Sequence, residues 1–142
     1  MYPQKTIDIA DTGFTGQWVL RPDACRFPGR PWQAAVCRIE ADEGAVRFTI
    51  DRTDADRVQS RVVYRVRADG VDQEVRVPGF CGTLRLHLLR PDALLCQIFA
   101  EGVEIGRIGR ELSADGHTLT VTQRLQAGTV LQTVYTRADF TA

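Results

Sequence analysis

The chain has 142 residues, the length of one domain with a single hydrophobic core. Its 18 basic and 18 acidic residues balance, so the sequence lacks the broad positive charge that indicates nucleic-acid binding. No apolar run approaches the roughly 18 residues of a membrane-spanning helix, and residues 1–15 lack the charged-then-apolar order of a signal peptide. We therefore expect a cytoplasmic protein without a membrane span, or an extracytoplasmic one if a leader has been removed.

Ten short β-strands are predicted along the chain, because runs of alternating apolar and polar residues are separated by turn signals such as Glu43-Gly44 and Glu101-Gly102. The predicted strands are 16–21, 33–41, 45–52, 58–68, 71–77, 83–89, 94–100, 103–112, 117–125 and 129–137. No helix of useful length is predicted. This pattern indicates an all-β protein, an up-and-down antiparallel β-barrel of about ten strands, with one domain over residues 1–142 and an N-terminal extension over residues 1–13.

The long irregular connection between the first two predicted strands covers residues 22–32. It contains three prolines and the aromatic residues Phe27 and Trp32. Because proline disfavours the interior of a helix, we expect a stiff loop over one mouth of the barrel rather than a helical lid. The sequence leaves open whether this loop is a packed plug or a mobile lid.

Two residues at the ends of the strand series predict how the barrel closes. Trp18 lies near the start of the first strand and Arg137 near the end of the last. If these two strands pair, the Arg137 guanidinium stacks over the Trp18 indole at the floor of the barrel. Thr133 and Tyr135 share a strand face with Arg137, so their side chains then lie on the inner wall.

A two-residue turn at Asp69-Gly70 predicts the register between the fourth and fifth strands. This register sets Tyr64 opposite Val75 on the inner face of a hairpin. Alternation within the strands places further apolar side chains on the inner face: Phe48, Val62 and Leu86.

The hairpin at Glu101-Gly102 has no clear inner face. The same turn arithmetic pairs Ile98 with Ile105, and polar and apolar groups then mix on both sides of the hairpin. Either polar groups such as Gln97 point into a cavity, or an apolar outer strip is covered by a partner such as a second copy of the chain.

Three stretches of the chain carry a family resemblance. They are residues 14–22, FTGQWVLRP, residues 112–122, LSADGHTLTVT, and residues 134–137, VYTR. These stretches resemble small bacterial lipocalin-like proteins of the calycin type, and the resemblance extends from Phe14 to Arg137. It implies a ligand-holding barrel in which Trp18 and Arg137 form the floor contact that such proteins share.

The sequence contains no nucleophile, phosphate-binding or metal-ligand motif, and its four cysteines lack zinc spacing. We therefore expect free thiols, no metal and no cofactor. The weak catalytic candidates are Tyr64 and His87, the second only if its strand turns that side inward, where an imidazole serves as a general acid or base. The candidate ligand-binding residues are Tyr64, Phe48, Val62, Leu86, Gln97, Thr133 and Tyr135.

Three functional hypotheses follow from these observations. The first is the binding of a small, largely apolar molecule inside the barrel, because an interior of this strand number is too wide for side chains alone to fill. The alternative is a cofactor-independent cyclase or isomerase that acts on a hydrophobic metabolite in the same cavity. The third is a filled barrel with a structural role, which forms a homodimer through the mixed face of residues 94–108.

Overall fold

The structure, a computed structural model, describes residues 8–77, 79–126 and 128–138. These residues form one antiparallel sheet of ten strands that curls into a nearly closed barrel. The strands are β1 (Gly16–Leu20), β2 (Ala34–Asp42), β3 (Ala45–Thr53), β4 (Gln59–Arg67), β5 (Gln73–Val77), β6 (Phe80–Arg90), β7 (Ala93–Ala100), β8 (Val103–Leu112), β9 (Thr118–Leu125) and β10 (Val130–Arg137). The predicted all-β antiparallel barrel is confirmed, and each strand end lies within about three residues of the predicted one.

The barrel closes between its first and last strands, as predicted. The order around the sheet is β4-β3-β2-β1-β10-β9-β8-β7-β6-β5, so β1 lies between β2 and β10. Trp18 pairs with Arg137 in this ladder, and the guanidinium carbon of Arg137 lies 4.2 Å from the centroid of the indole. Gly16 is required here, because its φ is +141° and a Cβ atom would lie 2.7 Å from Arg137 Nη1. We call this end of the barrel the floor and the opposite end the mouth.

The predicted hairpin between β4 and β5 is wrong. These two strands are the unpaired edges of the sheet, and Tyr64 pairs with Phe48 of β3 rather than with Val75. The turn at Asp69-Gly70 contacts β6 instead, because the Gly70 amide donates a hydrogen bond to the Leu86 carbonyl at 2.9 Å.

The side chain of Gln73 bridges the gap between β4 and β5. Its Oε1 accepts a hydrogen bond from the Arg67 amide at 2.7 Å, and its Nε2 donates to the Arg67 carbonyl at 2.9 Å. A primary amide has the same donor and acceptor as a peptide group, so this side chain takes the place of one residue of a ladder.

The register of the β7–β8 hairpin also differs from the prediction. Phe99 pairs with Glu104, but a β-bulge then shifts the ladder so that Ile98 pairs with Gly106 instead of Ile105. One extra residue in β8 moves every later side chain of that strand to the other face. The bulge thereby turns Arg107 outward opposite Gln97, and apart from Arg110 the inward side chains of the hairpin that line the cavity are apolar.

The two ends of the barrel are filled differently. The floor half is packed solid with large side chains, and a 3-10 helix at Ile9–Asp11 covers it. The fully buried side chains include Trp18, Phe14, Phe48, Ile39, Leu86 and Leu119. Inward-facing residues nearer the mouth are only half-buried, among them Ile50, Val62, Val77, Phe80 and Ile108. The predicted N-terminal extension lies partly outside the described residues.

Residues 22–32, which we call the strap, pass across the mouth. A short 3-10 helix at Pro22–Ala24 opens the strap, and Arg26 then forms an isolated antiparallel bridge with Gln132 of β10. Near its other end Trp32 packs against Phe27, with ring centroids 5.4 Å apart. The Trp32 ring also contacts the guanidinium of Arg52 on β3, so the strap is attached to the barrel at both ends.

All four cysteines lie within the described ranges and are free thiols. The described ranges contain no helix with the length and apolar character needed to cross a bilayer.

Candidate ligand-binding cavity

A cavity of about 590 Å³ opens at the mouth and extends into the barrel. A second and more apolar lobe of about 270 Å³ adjoins it beneath β4 and β5. The two lobes share a wall that includes Val62, Tyr64, Val77, Phe80 and Ile108. The cavity exists because the core residues fill only the floor half of the barrel.

Arg110 on β8 is the charged residue at the inner end of this cavity. Only 3% of its surface is exposed, and its guanidinium carbon lies 4.2 Å from the centroid of the Phe48 ring. Its Nη2 donates a hydrogen bond to the Tyr64 hydroxyl at 3.1 Å. Its Nε and Nη1 are buried and have no acceptor in the described part of the chain. Buried donors are almost always satisfied, so these two nitrogens mark a place where an acceptor is missing.

Phe48 and Tyr64 hold the Arg110 guanidinium in position. They form a cross-strand pair between β3 and β4, and their rings stack with centroids 5.0 Å apart. The guanidinium therefore rests on one ring of the stack and bonds to the hydroxyl of the other. Such a contact fixes the orientation of the donors without neutralising the charge.

The other ionisable groups near Arg110 are neutral at neutral pH. Burial raises the pKa of the Tyr64 phenol and raises that of Tyr135 to about 12. Burial also raises the pKa of the Cys37 and Cys96 thiols, against a smaller lowering by the Arg110 charge. Among the described residues that line the two lobes there is no Asp, Glu or His, so Arg110 has no counterion on the cavity wall.

The rim of the cavity is polar. Arg52 and Ser60 are cross-strand partners on β3 and β4, and both line the cavity near the strap. The guanidinium carbon of Arg52 lies 4.7 Å from the centroid of a Trp32 ring. Thr129 completes this polar edge on the β9–β10 side. Within the described residues no cluster of His, Cys, Asp or Glu side chains is arranged to hold a metal ion.

The structure brings four of the residues singled out by sequence to the cavity wall: Val62, Tyr64, Thr133 and Tyr135. Two others, Phe48 and Leu86, face inward but lie in the packed floor half and line neither lobe. The reason is that alternation identifies the face of a strand and not the height along the barrel.

Gln97 and His87 lie on the outer surface. The Nε2 atom of His87 is 2.9 Å from Gln97 Oε1, and Gln97 Nε2 donates to Glu104 at 3.4 Å. The β-bulge in β8 sets Arg107, rather than Gly106, opposite Gln97 on this outer face. Neither side chain lines the cavity.

Sequence reasoning missed Arg110. An arginine in a strand is normally interpreted as an outward residue. The predicted register lacked the bulge and so assigned the side chains of β8 beyond it to the wrong faces. A signal was present, because Arg110 lies on the same strand face as Ile108 and Leu112, which both pack against the core. Which of the two faces of β8 is the inner one becomes clear only after the bulge is recognised.

Comparison with known proteins addresses the fold. No protein-family model and no curated protein matches the sequence. Among solved structures, a Schistosoma mansoni fatty acid binding protein in complex with arachidonic acid matches with a TM-score of 0.66 at 11% identity, over 90% of this chain and 98% of that one. A mutant of the fluorescent protein UnaG matches with a TM-score of 0.60 at 16% identity, over 90% of this chain and 98% of that one.

Wild-type UnaG also matches, with a TM-score of 0.54 at 16% identity, over 88% of this chain and 97% of that one. Each match covers nearly the whole of both chains, so the similarity concerns the entire barrel. The chain therefore has the calycin-type barrel fold of the fatty-acid-binding-protein kind.

Proposed function

We propose that this barrel binds a small, largely apolar molecule that carries an anionic head group, and that Arg110 holds the head group. The observation that carries this proposal is the buried guanidinium at the inner end of an apolar cavity, with two nitrogens that lack an acceptor. A carboxylate is the simplest group that supplies both charge and acceptors.

The charge of Arg110 has no counterion among the described residues of the cavity wall. A buried ion without a partner costs several kcal/mol, and an anion that accepts from the guanidinium removes this cost. Hydrogen bonds between two ionised groups are roughly twice as strong as neutral ones. The apolar wall adds about 25 cal/mol for each Å² of ligand surface removed from water.

The position of Tyr64 favours the same ligand. Its hydroxyl oxygen accepts from Arg110, so its own proton is free to donate to a bound anion. The S. mansoni protein with this fold was solved in complex with arachidonic acid, which supports a ligand of the same chemical class.

The two other hypotheses have less support. A cyclase or isomerase that moves protons near neutral pH needs a general base, and no carboxylate or imidazole lines either lobe among the described residues. A filled structural barrel is at odds with a cavity of about 590 Å³. The outer face of the β7–β8 hairpin, on which the dimer hypothesis rests, is occupied by the polar contacts of Gln97 and Glu104.

The test is a calorimetric titration of the delipidated full chain with hexadecanoic acid and with its methyl ester. We expect the acid to bind and the ester to bind at least tenfold more weakly, because the ester lacks the charge. Arg110→Met should lower the affinity for the acid by roughly tenfold to a hundredfold, equivalent to about 1.4–3 kcal/mol.

Arg107→Met is the matched control, because Arg107 lies on the same strand but is exposed and bonded to Glu104. Its affinity for hexadecanoic acid should equal that of the wild type. Equal binding of acid and ester, or an equal loss in both variants, would contradict the proposal. Thermal unfolding of each variant verifies that it is folded before the titration.

A further inference from the structure

A second guanidinium lines the same cavity at the opposite end from Arg110. Arg52 lies at the mouth, where its contact with the Trp32 ring holds it in place. In the described part of the chain it forms no ion pair and no side-chain hydrogen bond. Neighbouring arginines differ, since Arg61 is bonded to Asp51 at 2.6 Å and Arg30 is bonded to Asp56.

The inner wall between the two guanidiniums is layered. Three cross-strand pairs of β3 and β4 face the interior in succession from the mouth inward: Arg52 with Ser60, Ile50 with Val62, and Phe48 with Tyr64. The outermost pair is polar, the middle pair is apolar, and the innermost pair supports Arg110. A ligand that follows this wall meets a polar group at each end and an apolar wall between them.

The spacing of the two ends follows from strand geometry. Phe48 and Arg52 are four residues apart on one strand, which at about 3.3 Å per residue is about 13 Å. Arg110 lies over Phe48, so along β3 the two arginines mark levels of the inner wall that are separated by roughly this length. An extended chain of about twelve carbons spans such a distance.

We propose that the ligand is an amphipathic chain with polar groups at both ends, of the α,ω-dicarboxylate class, with one carboxylate on Arg110 and the other on Arg52. This inference rests on the proposed function, because it takes the Arg110 head-group site as given. A plain fatty acid of the same length would place its terminal methyl group beside Arg52, Ser60 and Thr129. A dicarboxylate places an acceptor there and leaves that end in contact with water.

The experiment compares dodecanedioic acid with dodecanoic acid in calorimetric titrations of the full chain. The wild type should bind the diacid at least fivefold more tightly than the monoacid at low salt. Arg52→Met should abolish this preference, because the second carboxylate of the diacid then has no cation at the rim; the readout is the ratio of the diacid and monoacid affinities within the same variant.

Arg61→Met is the matched control. It removes an equal charge from the adjacent strand, and its guanidinium is exposed and already paired with Asp51. The preference for the diacid should survive in this variant, which separates a specific contact at Arg52 from a general attraction by positive charge. Added salt should reduce the preference, because a pair at the rim is screened by ions.

Two failures are distinguishable. If neither dodecanoic nor hexadecanoic acid binds, the proposed function itself is wrong. If the monoacid binds in an Arg110-dependent manner and the diacid shows no gain, or if the gain persists in Arg52→Met, only the second head-group site is overturned.

Discussion

Arg137 at the floor and Arg110 at the inner end of the cavity differ in how many of their donors are satisfied. Arg137 lies 4.2 Å from the Trp18 ring and Arg110 lies 4.2 Å from the Phe48 ring, so the aromatic contact is the same. The nitrogens of Arg137 donate to the carbonyls of Gly13, Thr15 and Gly116. Within the described residues, the nitrogens of Arg110 have one hydrogen-bond acceptor, the Tyr64 hydroxyl.

The comparison separates a structural cation from the cation that we propose to bind a ligand. Arg137 joins residues 13–15 and Gly116 to β10 at the floor, and each of its three side-chain nitrogens donates to a carbonyl. Arg110 sits in a rigid stack with two donors unused. A cation–π contact alone therefore does not point to a ligand site, whereas an unsatisfied buried donor calls for an acceptor.

The largest expected effect is at the floor. Trp18→Ala should lower the free energy of unfolding by about 3–5 kcal/mol, because it leaves a cavity in the packed half of the barrel. Arg137→Ala should also destabilise, by about 2–4 kcal/mol, since three carbonyls lose their donors. Urea unfolding of both single variants and the double variant should give an interaction energy on the order of 1 kcal/mol. Strictly additive effects would mean that the two side chains do not act together.

Arg110→Met should have the opposite effect on the ligand-free protein. Methionine has a similar length and no charge, so the variant removes an uncompensated buried ion and should raise the free energy of unfolding by about 1 kcal/mol. Arg137→Met is the matched comparison and should destabilise. Urea unfolding of delipidated protein measures both. A similar loss of stability in the two variants would end the distinction between a structural and a binding arginine.

Much of the fold was predictable from the sequence because its signals are local. Turn residues and alternation identify all ten strands, and the positions of Trp18 and Arg137 predict the closure of β1 on β10. The two errors in register, at Gln73 and at Ile105, have a common cause. In each case one residue decides the pairing, either by replacing a ladder with a side chain or by adding a bulge, and no repeating pattern reveals it.

The candidate site was predictable only in part. The hairpin register at Asp69-Gly70 placed Tyr64 on the inner wall, and the strand face shared with Arg137 placed Thr133 there. Both line the cavity, although that hairpin register is wrong. Alternation could not exclude Phe48 from the cavity wall, since it identifies the inner face of a strand but not how far up the barrel the packed core extends. Arg110 was missed because its inward position depends on the β-bulge near the start of β8. Its contact with Tyr64 of β4 joins residues 46 positions apart in the sequence, and such contacts are visible only in three dimensions.

A smaller effect is expected at the hydroxyl that links Arg110 to the cavity. Tyr64→Phe keeps the stack on Phe48 but removes the group that accepts from Arg110 Nη2. The affinity for hexadecanoic acid should fall by roughly 0.5–1.5 kcal/mol while the fold is retained. Calorimetry measures the affinity, and the near-ultraviolet circular dichroism spectrum verifies the packing. An unchanged affinity would show that the phenol takes no part in head-group binding.

The smallest effect concerns the two buried thiols within electrostatic reach of Arg110. Burial raises the pKa of Cys37 and of Cys96, and the positive charge of Arg110 partly counteracts this by favouring the thiolate. Removal of that charge in Arg110→Met should therefore raise both pKa values further. Because the thiolate is the reactive form, the rate of alkylation by iodoacetamide should then begin to rise at a higher pH than in the wild type.

Mass spectrometry of each cysteine peptide measures this shift, and the exposed Cys81 in the same sample is the internal control. Arg137→Met should leave the alkylation profiles of Cys37 and Cys96 unchanged, because the charge at the floor is not among the groups that influence either thiol. An equal shift in both arginine variants would mean that the thiols report a general loosening of the barrel. A shift confined to Arg110→Met would show that this guanidinium is charged inside the ligand-free cavity, which is the condition that an anionic head group requires.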